Sequence, residues 1–262
     1  MGILAAAETL TPPEGLSVAE NGGMPDESGW LSGVHPAQNI QDHPHVYEIE
    51  NRAADPDQLI ERAIRSIHDW RDAIVADVGC GTGFHLPHFA LSARQVFGIE
   101  PHGPSRLLAM RRCVDLGLDN VSVVAGSAER IPMAEALFDV VHARFAYFFG
   151  PGSEHGITEV LRVLRPGGAA FVVDNDLRHG TFAGWLARSS WAPPHSADEV
   201  EGFWASQGFT LKRVPSVWAF KSREDLEAVI RVEFPTDLAE ELIAEHAGMT
   251  LDYHYALYFR GR

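Results

Sequence analysis

The chain has 262 residues, of which 45% are hydrophobic, so it is long enough to bury one sizeable core. Its formal net charge of −15 at pH 7 argues against nucleic acid as a partner, because proteins that bind nucleic acid usually present a basic surface. Its two cysteines, Cys80 and Cys113, have no metal-binding spacing, which argues against a disulfide scaffold or a structural zinc site. Because the sequence lacks a signal peptide and a long apolar run, we expect a cytoplasmic protein without a membrane partner.

The first 54 residues are the least regular part of the sequence. Residues 1–30 are rich in Ala, Glu, Gly and Pro without a sustained period, which predicts a flexible tail. Residues 31–54 are polar but carry Val46, Tyr47 and Ile49, a mixture typical of a segment that docks onto a folded domain. We therefore expect the folded domain to comprise residues 55–262.

From residue 55 onward, short apolar runs alternate with amphipathic stretches. A helix is predicted to begin at Asp55-Pro56, an N-cap residue followed by a first-turn proline. Five strands are then predicted over residues 74–78, 96–99, 121–124, 138–143 and 169–173. Helices are predicted between them over residues 84–93, 104–116 and from Ser153, followed by a turn at Arg165-Pro166-Gly167-Gly168. Strands that alternate with helices indicate a parallel sheet covered on both faces.

The last 80 residues follow a different pattern. Ser196 and Glu199 have the spacing of a capping box at the start of a helix. The remaining elements are predicted as a strand over 209–220 interrupted by Pro215, helices over 223–233 and 236–247, and a final strand over 251–259. Alternating apolar and polar residues in that last strand favour antiparallel pairing. The expected fold is an α/β three-layer sandwich, with a mostly parallel seven-stranded sheet, an antiparallel last strand and helices on both faces.

The strongest motif is the turn after the first strand, Asp77-Val78-Gly79-Cys80-Gly81-Thr82-Gly83. Glycines permit positive φ and let a ligand approach the backbone, and the amides at a helix start favour a polar or anionic group. A dinucleotide site requires G-x-G-x-x-G, whereas this chain reads G-x-G-x-G and has Phe84 at the place of the third glycine. A P-loop is excluded because no Gly-Lys-Ser/Thr follows.

This turn resembles the first motif of the class I (Rossmann-like) S-adenosylmethionine-dependent methyltransferases, an acidic residue followed by x-G-x-G-x-G. The resemblance implies S-adenosyl-L-methionine as the cofactor and methyl transfer as the activity. In the family, the acid helps to hold the amino group of the methionine part, and the glycine loop wraps that same part. Asp77 and residues 79–83 would have these roles here. The alternative is an ordinary tight turn between a strand and a helix.

Three further segments are similar to the same family, so that the resemblance covers residues 72–176. Glu100 ends the second strand, where the resemblance implies that it accepts both ribose hydroxyls, with Pro101 next to it. Residues 126–132 resemble the adenine segment, but Ser127 stands where family members commonly carry Asp. The adenine contact would then pass to the Ser127 hydroxyl or the Ala128 amide, with Glu129 as a further candidate.

The resemblance also includes the fourth strand and the helix after it, through residues 138–145 and 159–168. Residues just after the fourth strand lie beside the cofactor in the family, which predicts cofactor contacts for Arg144 and Phe145. In several small-molecule members an N-terminal segment closes over the cofactor, and Tyr47 would belong to such a lid. A mobile surface tail is the alternative for that segment.

The catalytic residues stay open at the level of sequence, because methyl transfer depends largely on positioning and needs a base only when the acceptor must lose a proton. His142, Tyr147 and Asp174 are candidates at the ends of the fourth and fifth strands, and each has an alternative interpretation as a packing or orienting residue. Asp174-Asn175 resembles the pair in metal-dependent catechol-type enzymes. No acid follows the fourth strand, however, so we expect no metal.

The expected function is methylation of a small-molecule acceptor at oxygen, nitrogen or carbon, by a monomer or homodimer. One alternative is an RNA or protein methyltransferase, which predicts a positive groove around the strand ends. The other is a protein that binds S-adenosylmethionine without methyl transfer, or a nicotinamide-dependent enzyme.

Overall fold

The computed structural model describes residues 31, 34, 41–147 and 150–262, so the predicted tail over residues 1–30 lies outside the described residues. The helices are α1 Pro44–Ala53, α2 Leu59–Ile67, α3 Leu86–Ala90, α4 Gly103–Asp115, α5 Glu154–Val163, α6 Thr181–Arg188, α7 Ala197–Ser206, α8 Arg223–Glu233 and α9 Thr236–Glu245. The strands are β1 Ile74–Val78, β2 Gln95–Glu100, β3 Val121–Ala125, β4 Phe138–Arg144, β5 Leu164–Asn175, β6 Thr210–Ala219 and β7 Thr250–Gly261. Within this part of the chain, no helix has both the length and the apolar character that a membrane span requires.

The seven strands form one sheet in the order β3-β2-β1-β4-β5-β7-β6. Strands β1 to β5 pair in parallel, and β7 runs antiparallel between β5 and β6. This topology confirms the predicted α/β fold class. The chain moves outward from β1 to β3 and then returns to place β4 on the other side of β1. Ligands of open α/β sheets bind at such a reversal, beyond the carboxyl ends of the strands.

Two hydrophobic cores lie on opposite faces of the sheet, because neighbouring residues of a strand point in opposite directions. Val75 and Val140 belong to the first core, whereas Ala76 and Val141 belong to the second. All four side chains are buried. The continuous apolar runs in the central strands therefore reflect a sheet that is covered on both faces.

The start of α2 differs from the prediction, because the helix begins at Leu59 and not at Asp55-Pro56. A short turn intervenes, in which Gln58 has a left-handed φ of 54°. Asp55 still caps the helix, since its carboxylate accepts hydrogen bonds from the amides of Leu59 at 3.0 Å and Ile60 at 2.9 Å. The same carboxylate accepts a hydrogen bond from the Ser216 hydroxyl of β6 at 2.6 Å, so it ties α2 to the sheet edge.

We expect Asp55→Ala to lower the free energy of unfolding by about 2 kcal/mol, because two helix amides and a buried hydroxyl would lose their acceptor. Urea unfolding followed by circular dichroism measures this loss. Asp57→Ala, which removes an exposed carboxylate from the same turn, serves as the control and should change the stability by less than about 0.5 kcal/mol. Equal losses in the two variants would contradict the capping role.

Two predicted breaks in the strands, at Pro215 and at residues 165–168, were wrong. Pro215 does not interrupt β6, because β6 is an edge strand and a residue without an amide hydrogen is tolerated there. Residues 165–168, predicted as a turn, lie within β5, and the pairing with β4 shifts register between Phe138 and Val140 to accommodate them. The capping box of Ser196 and Glu199 is confirmed.

Candidate active site

The glycine turn connects β1 to α3 at the carboxyl edge of the sheet. Gly79, Gly81 and Gly83 have positive φ angles of 71°, 56° and 76°, a region that is strained for residues with a Cβ. A Cβ on Gly83 would lie 3.0 Å from the Cβ of Ala109, so Gly83 permits the close approach of α4. A Cβ on Gly79 would lie 2.7 Å from the Cβ of Ala146, in the segment after β4. Gly79 and Gly81 line a cleft at this edge of the sheet.

Glu100 stands at the end of β2, directly beside this turn. Its Oε2 atom accepts a hydrogen bond from the Gly81 amide at 2.7 Å, and its Oε1 atom accepts one from the His102 amide at 2.8 Å. Burial raises the pKa of Glu100 to about 7, although both amides act to lower it. Each carboxylate oxygen has a second lone pair, so Glu100 is able to accept two further hydrogen bonds when it is ionised.

Asp77 and His142 form a buried polar pair beneath the turn. They lie opposite one another in β1 and β4, and His142 Nδ1 is 2.7 Å from Asp77 Oδ1. The His142 ring also packs against Phe89, with 5.1 Å between the ring centroids. The sequence analysis treated Asp77 and His142 as separate candidates, whereas the structure joins them. The imidazole therefore fixes the direction of the carboxylate that lines the cleft.

Helix α1 docks onto the glycine turn. The Thr82 hydroxyl donates a hydrogen bond to Glu48 Oε1 at 2.5 Å, and Arg112 of α4 donates one to the same oxygen at 2.6 Å. Tyr47 and Asn51 of this helix line the cleft, and burial raises the pKa of Tyr47, so its hydroxyl stays protonated. The N-terminal segment therefore packs against the glycine turn.

The cleft brings together seven of the predicted cofactor residues, namely Tyr47, Asp77, Gly79, Cys80, Gly81, Thr82 and Arg144. Asn51, Phe84 and His85 also line it but were missed. Asn51 lies one helical turn after Tyr47, which is a signal that could have found it. His85 had no such signal in the sequence.

The other predicted cofactor residues, Gly83 and Glu100 among them, lie outside this lining. Pro101, Ser127 and Ala128 are buried in the turns after β2 and β3, whereas Glu129 is exposed. Phe145 has a φ of 54° and lies 6.3 Å from the ring of Tyr255 on the other side of β4.

Two catalytic candidates are placed away from the cleft lining. Tyr147 packs in the second core, with its ring 6.4 Å from that of Trp204, and burial raises the pKa of its hydroxyl. Asp174 is buried in β5, where its carboxylate accepts a hydrogen bond from the Asn175 amide at 2.7 Å. His142, by contrast, contacts the cleft through Asp77.

The side chains of the cleft have the chemistry that an adenosyl amino acid requires. Asp77 offers a carboxylate for an ammonium group, and Glu100 offers one for ribose hydroxyls. Asn51 Nδ2 and His85 Nε2 are buried without a hydrogen-bond partner in the described residues. No three His, Cys, Asp or Glu side chains cluster as a metal site within the same residues.

Comparison with known proteins gives a consistent result. Residues 75–168 match a family model described as a methyltransferase domain. The chain is 28% identical over 141 residues to an uncharacterized chloroplastic methyltransferase of Arabidopsis thaliana. The aligned region covers 51% of this chain and 39% of that protein. It is 25% identical over 166 residues to the demethylmenaquinone methyltransferase of Chlorobaculum parvum. The aligned region covers 57% of this chain and 67% of that protein.

The fold has solved counterparts as well. The crystal structure of the YcgJ protein of Bacillus subtilis matches with a TM-score of 0.57 and 20% identity, over 78% of this chain and 97% of that one. The chain spans about two fifths of the length of the Arabidopsis relative. Given the acid-G-x-G-x-G turn, the sheet order and the matched family model, residues 75–168 form a methyltransferase domain of the class I, Rossmann-like type.

Proposed function

We propose that this chain binds S-adenosyl-L-methionine at the glycine turn and transfers its methyl group to a small-molecule acceptor. One observation carries the proposal. Two buried carboxylates, Asp77 and Glu100, lie beside the glycine turn, and Glu100 is held by the Gly81 amide at 2.7 Å. A turn that served only to connect β1 to α3 would not require buried acids on both sides, because a buried charge is unfavourable.

Each carboxylate has a distinct role in this proposal. Asp77, oriented by His142, holds the ammonium group of the methionine part, and Glu100 accepts the ribose hydroxyls. The adenine ring then lies toward the turn after β3, where Ser127 and Ala128 replace the acidic contact that is common in the family. Helix α1 covers the methionine part through Tyr47 and Asn51.

The bound cofactor supplies a methyl group on a positively charged sulfur, which makes that carbon electrophilic. The protein positions the two reactants and excludes water from the cleft. Helix α1, fixed to the turn by Glu48 and Thr82, excludes water from the cleft and holds the acceptor against the cofactor site. Methyl transfer needs a base only when the acceptor must lose a proton, so no side chain is given a role in proton transfer.

A small acceptor is favoured by the overall charge and by the relatives. The net charge of −15 disfavours an RNA substrate. One relative is named as a demethylmenaquinone methyltransferase. We propose a cytoplasmic, small-molecule enzyme on these grounds.

Calorimetric titration with S-adenosylhomocysteine and with NAD tests the cofactor assignment. We expect S-adenosylhomocysteine to bind with a dissociation constant on the order of micromolar, because two charged groups and a ribose are recognised. NAD should bind at least ~100-fold more weakly, since Phe84 replaces the third glycine of a dinucleotide loop. Tight binding of NAD without binding of S-adenosylhomocysteine would overturn the proposal.

A further inference from the structure

A second and larger pocket, of about 250 Å³, opens beside the cofactor cleft. It lies between α3 and the segment that joins α1 to α2, on the sheet face that carries the first core. Asn51, Phe84, His85 and Arg144 line both spaces. The pocket therefore adjoins the cleft that we assign to the cofactor.

Three buried nitrogens of this pocket's residues have no hydrogen-bond partner within the described chain. They are Asn51 Nδ2, Trp70 Nε1 and His85 Nε2. Buried polar atoms are nearly always hydrogen-bonded, and an unpaired one is unfavourable. Indole and amide nitrogens are donors only, so the partner that they lack is an acceptor atom such as a carbonyl or hydroxyl oxygen.

Part of the lining is apolar, and its two carboxylates already have partners. Ile60, Ile64, Trp70, Phe84 and Phe89 supply hydrocarbon and aromatic surface. The Asp55 carboxylate caps α2, and the Glu61 carboxylate accepts a hydrogen bond from Arg65 at 3.1 Å. Burial lowers the pKa of His85 well below its ordinary value, so this imidazole is neutral at neutral pH. The two carboxylates and the His85 imidazole therefore present no unpaired charge to a ligand.

We propose that this pocket binds the methyl acceptor, and that the acceptor is an uncharged molecule with a cyclic apolar body and carbonyl or hydroxyl oxygens. The inference rests on the proposed function, because an acceptor must lie where it can reach the cofactor. The residues shared by the two spaces provide that approach. The apolar walls bind the ring system, and the unpaired nitrogens bind its oxygens and set its orientation.

Two probes of the same size separate these contributions, namely 2-naphthol and 2-methylnaphthalene. Binding is measured by ligand-observed NMR titration of the full chain saturated with S-adenosylhomocysteine. We expect 2-naphthol to bind about 3- to 10-fold more tightly, which is the effect of one net hydrogen bond. We expect this preference to disappear in Trp70→Phe, in His85→Leu or in both. The two probes would then bind with about equal affinity, and 2-methylnaphthalene would still bind.

Trp204→Phe is the matched control, because Trp204 Nε1 is also buried without a partner in the described residues but lies in the second core. It should leave the preference for 2-naphthol unchanged. Equal binding of the two probes to the unaltered protein, or an unchanged preference in both pocket variants, would overturn the acceptor assignment. The proposed function would then still stand if S-adenosylhomocysteine bound, and it would fail separately if that ligand did not bind.

Discussion

Gly81→Val should lower the affinity for S-adenosylhomocysteine by about 100-fold or more. Gly81 has a φ of 56°, which β-branched residues disfavour strongly, and its amide donates to Glu100 at 2.7 Å. A valine would therefore rearrange the turn, displace Glu100 and place two methyl groups in the space assigned to the ligand. Isothermal titration measures the affinity, and circular dichroism shows whether the variant remains folded.

Gly117→Val is the control for backbone strain. Gly117 follows α4, has a φ of 63° and has no atom within 4 Å of the position that its Cβ would occupy. This variant should lose about as much stability as Gly81→Val, because the strain is similar, yet it should bind S-adenosylhomocysteine normally. Normal binding by Gly81→Val would mean that the turn only connects a strand to a helix.

The affinity for S-adenosylhomocysteine should also fall about tenfold between pH 8 and pH 6. Burial raises the pKa of Glu100 from 4.5 to about 7, so the carboxylate that we propose as the acceptor for both ribose hydroxyls is lost in this range. The sign for stability is opposite. Because the folded chain favours the protonated form, the contribution of Glu100 to stability is present below pH 4.5 and is lost as the pH rises through about 7.

Glu100→Gln isolates this effect, since the amide has nearly the same shape but does not titrate. At pH 8 we expect the variant to bind by about 1–3 kcal/mol less strongly, because hydrogen bonds to a charged group are lost. The affinity of this variant for S-adenosylhomocysteine should then be about the same at pH 8 and at pH 6. Glu129→Gln removes an exposed acid from the turn after β3 and should keep the full dependence. A pH dependence that persists in Glu100→Gln would assign the titration to another group.

Much of the fold follows from local patterns in the sequence. The run Ile74–Val78 predicts a buried strand because both faces of a parallel sheet exclude water, and β1 has that environment. The position of β7 between β5 and β6 is different, since it depends on pairing between distant segments such as Val173 and Leu257. Pro215 misled the prediction because its cost depends on whether a strand lies at the sheet edge, which is a tertiary property.

The same distinction holds for the site. The glycine turn and Glu100 could be predicted because each is local to the end of one strand. The contact between Glu48 and Thr82 joins residues 34 positions apart, and that between Asp77 and His142 joins residues 65 positions apart. No local pattern records such contacts. The imidazole of His142 is a base candidate in the sequence, and the structure adds its contact with Asp77 and its place in the lining of the larger pocket.

A crystal structure with bound S-adenosylhomocysteine tests the central claim most directly. The account predicts that the ribose hydroxyls contact the Glu100 carboxylate, that the amino group contacts Asp77, and that the sulfur faces the passage beside Asn51 and His85. A ligand bound elsewhere, or a cleft that stays filled by the chain's own side chains at saturating ligand, would contradict it.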